Sequence, residues 1–240
     1  MKKVVLNYVV IAALAVAAAF TSCGGGSGSG SGGGKSSGKI KMTTEEGGDF
    51  SFRLAGSGVA TVDWGDGSEK VSLTLSEGRV GSGRGVQFHH TYPNASIRTI
   101  TIDGDNIMAL ECRYITSLDV SRCSELIQLD CTSDNLKKLD VSKNTALTDL
   151  QVNAQLSSLD LSKNVALLSL GLVRTQLTSL DVSKNTALTG LLVSGNQLTS
   201  SAINALFGTL HSNDVGVQKR IYIGGDGDRS IAEKKGWTVQ

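Results

Sequence analysis

The chain has 240 residues, a net charge of +1, 40% hydrophobic residues, 5% aromatics, and one Pro against 29 Gly. Near-balanced charge excludes a basic field for nucleic acid and an acidic tail. The apolar fraction is ordinary for a globular protein that buries a sizeable core.

Two leading segments stand outside that core. Met1-Lys2-Lys3 forms a positive start, and Val4 to Phe20 is apolar apart from Asn7 and Tyr8. The small residues Thr21 and Ser22 then precede Cys23. This is the shape of a secretory leader. A spanning helix is the alternative, but the run lies at the lower limit of what crosses a bilayer. The Thr21-Ser22-Cys23 end resembles the lipobox of bacterial lipoproteins, with Phe20 where Leu is usual. The resemblance implies cleavage before Cys23, acylation of its thiol, and an outer-membrane address whose face stays open. Several acyl chains anchor stably, since each buried CH₂ contributes about 0.8 kcal/mol. Gly24 to Gly38 is almost wholly Gly and Ser, which predicts a flexible tether with a reach of roughly 20 Å. Losing Lys2 and Lys3 with the leader brings the charge to about −1, so the lipid and not charge is expected to hold the membrane.

A β module is predicted over 39–108. Short alternating runs occur at Ile40-Met42, Phe50-Leu54, Val59-Val62, Val71-Leu75 and Ile97-Ile102, with Gly47-Gly48, Gly56-Ser57-Gly58 and Gly81-Ser82-Gly83 as turn signals. Strands at this spacing suggest a sandwich. Asp63-Trp64-Gly65-Asp66-Gly67 and His90-Thr91-Tyr92 resemble the PKD domain, which implies an immunoglobulin-like sandwich. The Gly-rich stretch from Gly78 to Val86 departs from that pattern. Asp63 and Asp66 lack the ligand spacing of an EF-hand loop, so a tight turn capped by its own aspartates is expected. His89 and His90 point to opposite faces of a strand and suit structural roles better than a shared metal.

The main body, 109–200, is a repeat. Leu-Asp-Val/Leu recurs at Leu118, Leu139, Leu159 and Leu180, at spacings of 21, 20 and 21. A second series runs through Leu110, Leu129, Leu150, Leu170 and Leu191. A fixed period near 20 residues is a solenoid signature. The run Leu-Asp-Val-Ser-Lys-Asn-Thr-Ala-Leu-Thr, at 139–148 and again at 180–189, resembles the short internalin-like leucine-rich repeats of bacterial surface proteins. Each turn is expected to lay short strands in parallel about 4.8 Å from the next, with alternate side chains inward. Asn144, Asn164 and Asn185 share one corner position, where an inward amide satisfies bare backbone groups. Cys112 and Cys131 take inward positions on neighbouring turns and read as small hydrophobes, because in-register side chains on parallel strands suit a disulfide poorly. The aspartates at 119, 140, 160 and 181 read as a turn-capping ladder.

The cap, 201–240, combines a helix burying Ile203, Leu206, Phe207 and Leu210, a strand at Ile221-Ile223, a short helix over 230–235 stopped by Gly236, and a closing Trp237-Val239. It resembles the C-terminal cap of leucine-rich lipoproteins from Gram-negative gut anaerobes. Gly224-Gly225-Asp226-Gly227-Asp228 reads as a turn.

The expected class is therefore mostly β: a 1–22 leader, a 23–38 tether, a PKD-like module, a leucine-rich solenoid and an α/β cap. No residues converge into a catalytic constellation, and neither enzyme, metal nor cofactor chemistry is expected. The positions that vary between turns and point outward are Glu111, Arg113, Gln128, Asp130, Thr132, Asp149, Gln151, Asn153, Ser169, Val173, Leu192 and Ser194. They are the expected partner-binding face, polar at its start and apolar towards Val173 and Leu192. A protein ligand is the first reading, with adhesion one form of it. A glycan-capture lipoprotein and a ligand-free spacer are the alternatives. No nucleic acid is expected.

Overall fold

A computed structural model describes residues 39–240 except Ser82. The expected leader, the expected tether and Cys23, the expected lipidation site, lie outside the described residues. The chain is mostly β. Among the described residues twelve strands form one connected sheet, antiparallel around β1 to β6 and parallel from β5 through β7 to β12.

The first strand, β1 (Ile40–Thr44), buries Ile40, Met42 and Thr44 on one face. β2 (Gly48–Asp63) follows it as one strand of 16 residues. The expected turn at Gly56-Ser57-Gly58 is instead a β-bulge, where the register with β5 (Arg98–Arg113) slips between Ala55/Gly56 and Ser57/Ala60. Extra residues on one strand bend it sharply without breaking the pairing. β2 can therefore pair β4 (Val86–Tyr92) through its first half and β3 (Val71–Thr74) through its second.

A ring cluster fixes this module. Phe52 stacks on Phe88 at 5.4 Å, and Trp64 stacks on His90 at 5.0 Å. The Tyr92 hydroxyl donates to the Trp64 carbonyl, and Arg98 lies 4.3 Å over the Tyr92 ring. His90 Nε2 meets Asp66 Oδ2 at 2.7 Å, so this histidine is a packed structural group. Asp63 and Asp66 cap the N–H groups of Gly65 and Ser68. Gly65 has φ +75, and a Cβ there would meet the Thr99 carbonyl oxygen at 2.3 Å. Only glycine fits both constraints.

β5 carries the chain from module to solenoid. It runs unbroken across the 108/109 boundary. Its first half pairs β1, and its second half pairs β7 (Gln128–Ser133) in parallel. β6 (Ser117–Asp119) closes the other edge against β1. Parallel rungs then follow: β7, β8 (Asp149–Ala154), β9 (Ser169–Val173) and β10 (Gly190–Ser194). Leu110, Leu129, Leu150, Leu170 and Leu191 stack in register, all fully buried. Each such side chain contributes about 1.5–3 kcal/mol relative to exposure. No rung could bury it alone; the neighbours above and below make the core continuous.

The corners follow the repeat. Asn164 Nδ2 donates to the carbonyls of Val141 and Asn144, both at 2.9 Å. Asn144 and Asn185 do the same one turn back and one turn on. The aspartates at 119, 140, 160 and 181 each accept the N–H two residues later, at Ser121, Ser142, Ser162 and Ser183. These bonds hold the four carboxyls below the usual carboxylate range.

The C-terminal end is sealed by α1 (Ser200–Thr209), capped by the Thr199 hydroxyl. β11 (Lys219–Ile223) and β12 (Trp237–Val239) extend the stack in parallel, with α2 (Ser230–Glu233) between them. Lys219 is buried and donates to the carbonyls of His211, Asn213 and Lys235. His211 bonds the Leu188 carbonyl through Nε2 and accepts the Asn213 N–H at Nδ1, which makes it a structural group of the cap. Among the described residues no helix is long and apolar enough to cross a membrane.

Candidate partner-binding face

Side chains alternate across a strand. With the leucines and Cys112, Cys131 and Val152 turned inward, the residues between them point outward in rows. The central row runs Arg53, Glu111, Asp130, Gln151, Gly171, Leu192 and Tyr222. A flanking row carries Arg113, Thr132 and Asn153, and further on Val173 beside Ser194. All of these except the buried Gly171 and the exposed Arg113 are half-buried. The face passes from charge through amides to apolar groups along the stack. Tyr222 extends it by a rung; the alternation of Ile221-Tyr222-Ile223 was the signal for its outward position.

The third row differs. Gln128, Asp149 and Ser169 are only 7%, 8% and 5% exposed. The cover over Gln128 and Asp149 is a strap from the β module, residues 77–81, reaching across the leading edge of the rungs. Gln128 exchanges two hydrogen bonds with the backbone of Val80, each of 3.1 Å. The Arg79 guanidinium pairs with Asp149 Oδ2. The Gly81 N–H donates to Glu111 Oε2 at 3.1 Å. Val80 itself is buried with Ala55 and Ala109. These three expected face residues thus lie beneath the open surface. For Gln128 and Asp149 the cause is a segment that sequence places in another module.

Electrostatics concentrate at the same end. Asp130 is pushed up to about 6, first by burial and then by the charges of Glu111 and Asp149, with Arg113 opposing. Burial also raises Asp149, although Gln151 and Arg79 both bond its carboxyl. Arg113 reaches Glu111 Oε1 at 3.0 Å. Gln151 Nε2 donates to Asp149 Oδ1 and Ser169 Oγ, which carries its amide towards the next rung. A Cβ at Gly171 would come within 1.8 Å of Gln151 Oε1, so the glycine makes room for that amide.

The cysteines behave as core. Cys112 and Cys131 are in-register neighbours with free, buried thiols. Contact with Cys131, and then burial, raises the Cys112 thiol well above its ordinary value. Cys123, on the far side of the turn, donates to the Ile107 carbonyl and is pushed up to about 12, chiefly by burial. Among the described residues no three His, Cys, Asp or Glu side chains gather as a metal site.

No protein-family model matches the sequence, and no curated protein does. Among solved structures, the chain is similar to the functional domain of InlJ from Listeria monocytogenes, described as including a cysteine ladder. The identity is 26% and the TM-score 0.43; the match covers 56% of this chain and 30% of that one. This chain thus spans under a third of that structure's length.

Proposed function

We propose that the chain is a lipid-anchored protein of the cell envelope whose leucine-rich solenoid binds a protein partner through the outward rows of β5 to β11. The observation that carries this reading is the graded face itself. Its side chains change from rung to rung while the inward leucines and corner asparagines repeat. A surface built only as a spacer needs no such gradient, and repeat solenoids use extended faces for binding. Charge at one end and apolar groups at the other suit a protein surface, where apolar anchors are rimmed by polar groups. A glycan platform needs neighbouring rings. The exposed Tyr114 and the half-buried Tyr222 stand at rungs roughly 24 Å apart at ordinary strand spacing. Cys23 supplies the anchor in this reading, and the PKD-like module seals the first rung and lifts the solenoid from the membrane.

Photo-crosslinking in the native membrane tests the binding role. Crosslinkers placed at Thr132, Asn153 and Leu192 should trap one discrete protein, and one at Lys163 on the far edge should not. Replacing Leu192 with Glu should abolish the product. Equal labelling from all four positions, or none from any, would overturn the reading.

A further inference from the structure

The strap is held by contacts that follow the chemistry of peptide recognition. An arginine enters an ion pair with a buried carboxylate, Asp149. The following residue presents its backbone N–H and carbonyl to one buried amide, Gln128, and sinks a β-branched side chain against Ala55 and Ala109. The next N–H is taken by Glu111. Three acceptors and a small apolar hollow, on three successive strands, read three residues in succession. Two of those acceptors are shielded from water by the strap itself. When residues 79–81 settle over Gln128 and Asp149, the Val80 backbone and the Arg79 guanidinium take the place of the water both would otherwise hold. Any segment offering the same guanidinium, backbone groups and small side chain in the same order would satisfy these groups equally.

Resting on the reading of this face as a partner-binding surface, we propose that the leading edge of β5, β7 and β8 is a receptor site for a partner segment carrying arginine, a β-branched residue and glycine in succession, and that Arg79-Val80-Gly81 occupies it as an internal competitor. The specificity follows residue by residue. Asp149 selects a guanidinium, whose fork pairs with carboxylate oxygens. The Ala55 and Ala109 hollow holds the Val80 side chain, so it suits a small β-branched residue. Gly81 has φ +98, a conformation in which a side chain is strained. The partner must compete with a tethered segment at the high effective concentration that a short link sets, of millimolar order. Only a longer ligand that also engages the open rows towards Leu192 displaces it readily.

The probe is a blocked synthetic peptide of residues 77–81, Glu-Gly-Arg-Val-Gly, carrying a fluorophore and titrated with the full chain in detergent. Wild-type chain should bind it weakly. The R79A/V80A chain, with its strap loosened, should bind at least tenfold more tightly. Adding Asp149→Asn or Gln128→Ala to that background should weaken binding tenfold or more. If the double variant does not fold, as read by its thermal melt, R79A alone replaces it. In the wild-type chain, excess peptide should also speed hydrogen exchange at the Val80 and Gly81 amides. No binding to a folded, strap-loosened chain overturns the proposal, as does binding indifferent to Asp149 and Gln128. Crosslinking from Leu192 reports on the binding role separately. A trapped partner with no peptide binding sinks this site alone, and peptide binding with no trapped partner sinks only the wider role.

Discussion

Replacing Asp130 with Asn should stabilise the protein at neutral pH. The Asp130 carboxyl titrates near 6 in the fold against an ordinary value of 3.8. A folded-state value above the unfolded one means the native state takes up the proton first. Stability therefore falls as pH rises through the window between 3.8 and about 6, and the full penalty stands above it. About two pH units at 1.36 kcal/mol each give an upper bound of about 3 kcal/mol. Asp130 is half-buried and partly screened by water, which reduces the expected penalty to about 1–2 kcal/mol. Asparagine keeps the shape, removes the charge, and offers N–H groups to Glu111 and Asp149. Urea unfolding at about pH 8 and about pH 4 measures both ends. D130N should gain about 1–2 kcal/mol at the higher pH and nearly nothing at the lower. A variant no more stable than wild type at pH near 8 would refute the burial argument, as would a gain that persists at pH near 4.

The corner ladder gives a second test. Asn164→Ala loses two hydrogen bonds of about 1 kcal/mol each, so urea midpoints should register a loss of about 2 kcal/mol. Asn164→Asp should cost more than that at neutral pH, because a buried carboxylate would face carbonyl oxygens, and should recover as acid protonates it. The Asp66 carboxyl is held below the usual range by its bonds to Ser68 and then His90. Its contribution is present above the unfolded value of 3.8 and disappears as pH falls further. Tryptophan fluorescence during acid titration should show D66N with a shallower loss of structure than wild type. The thiols of Cys112, Cys123 and Cys131 should resist maleimide in the native state and react on unfolding, resolved residue by residue by mass spectrometry. Rapid native labelling of any of them would contradict the burial described above.

Sequence periodicity carried the solenoid because every rung solves the same local problem. The stacked leucines, the in-register Cys112 and Cys131, the corner asparagines and the capping aspartates each depend on neighbours one repeat away. The cap was legible for a related reason: helical spacing at Ile203, Leu206 and Phe207, and strand alternation at 221–223, are local signals. Bent β2 was not legible, because Gly56-Ser57-Gly58 carries the composition of a turn and only pairing with β5 makes it a bulge. β5 hides its length similarly, since Gly104 and Asp105 interrupt its apolar alternation. The strap was the least legible feature. Its anchors lie 30, 48 and 70 residues away in sequence, at Glu111, Gln128 and Asp149. No periodicity links them, and glycines mask the two residues that matter, Arg79 and Val80. For the candidate face, alternation predicted which side chains turn outward, and tertiary contact decided which of those stay open.

The unbroken passage of β5 also has a mechanical meaning. β1 grips β5 antiparallel over five residue pairs, from Ile40↔Ile102 to Thr44↔Arg98. A pull on the chain ahead of Ile40, resisted by whatever holds the rungs, enters that seam at its Ile40↔Ile102 end. The seam is antiparallel, so Ile40 lies at its rung-facing end beside Ile102, and the pairs open in turn from there towards Thr44↔Arg98. The second half of the same strand delivers the tension straight into the first rung. No hinge separates the two, so module and solenoid share one load path. The strap adds a brace across that junction, tying residue 79 to the third rung. A pull from the N-terminal side therefore strips β1 first and leaves β5, its rungs and the strap joined as one piece.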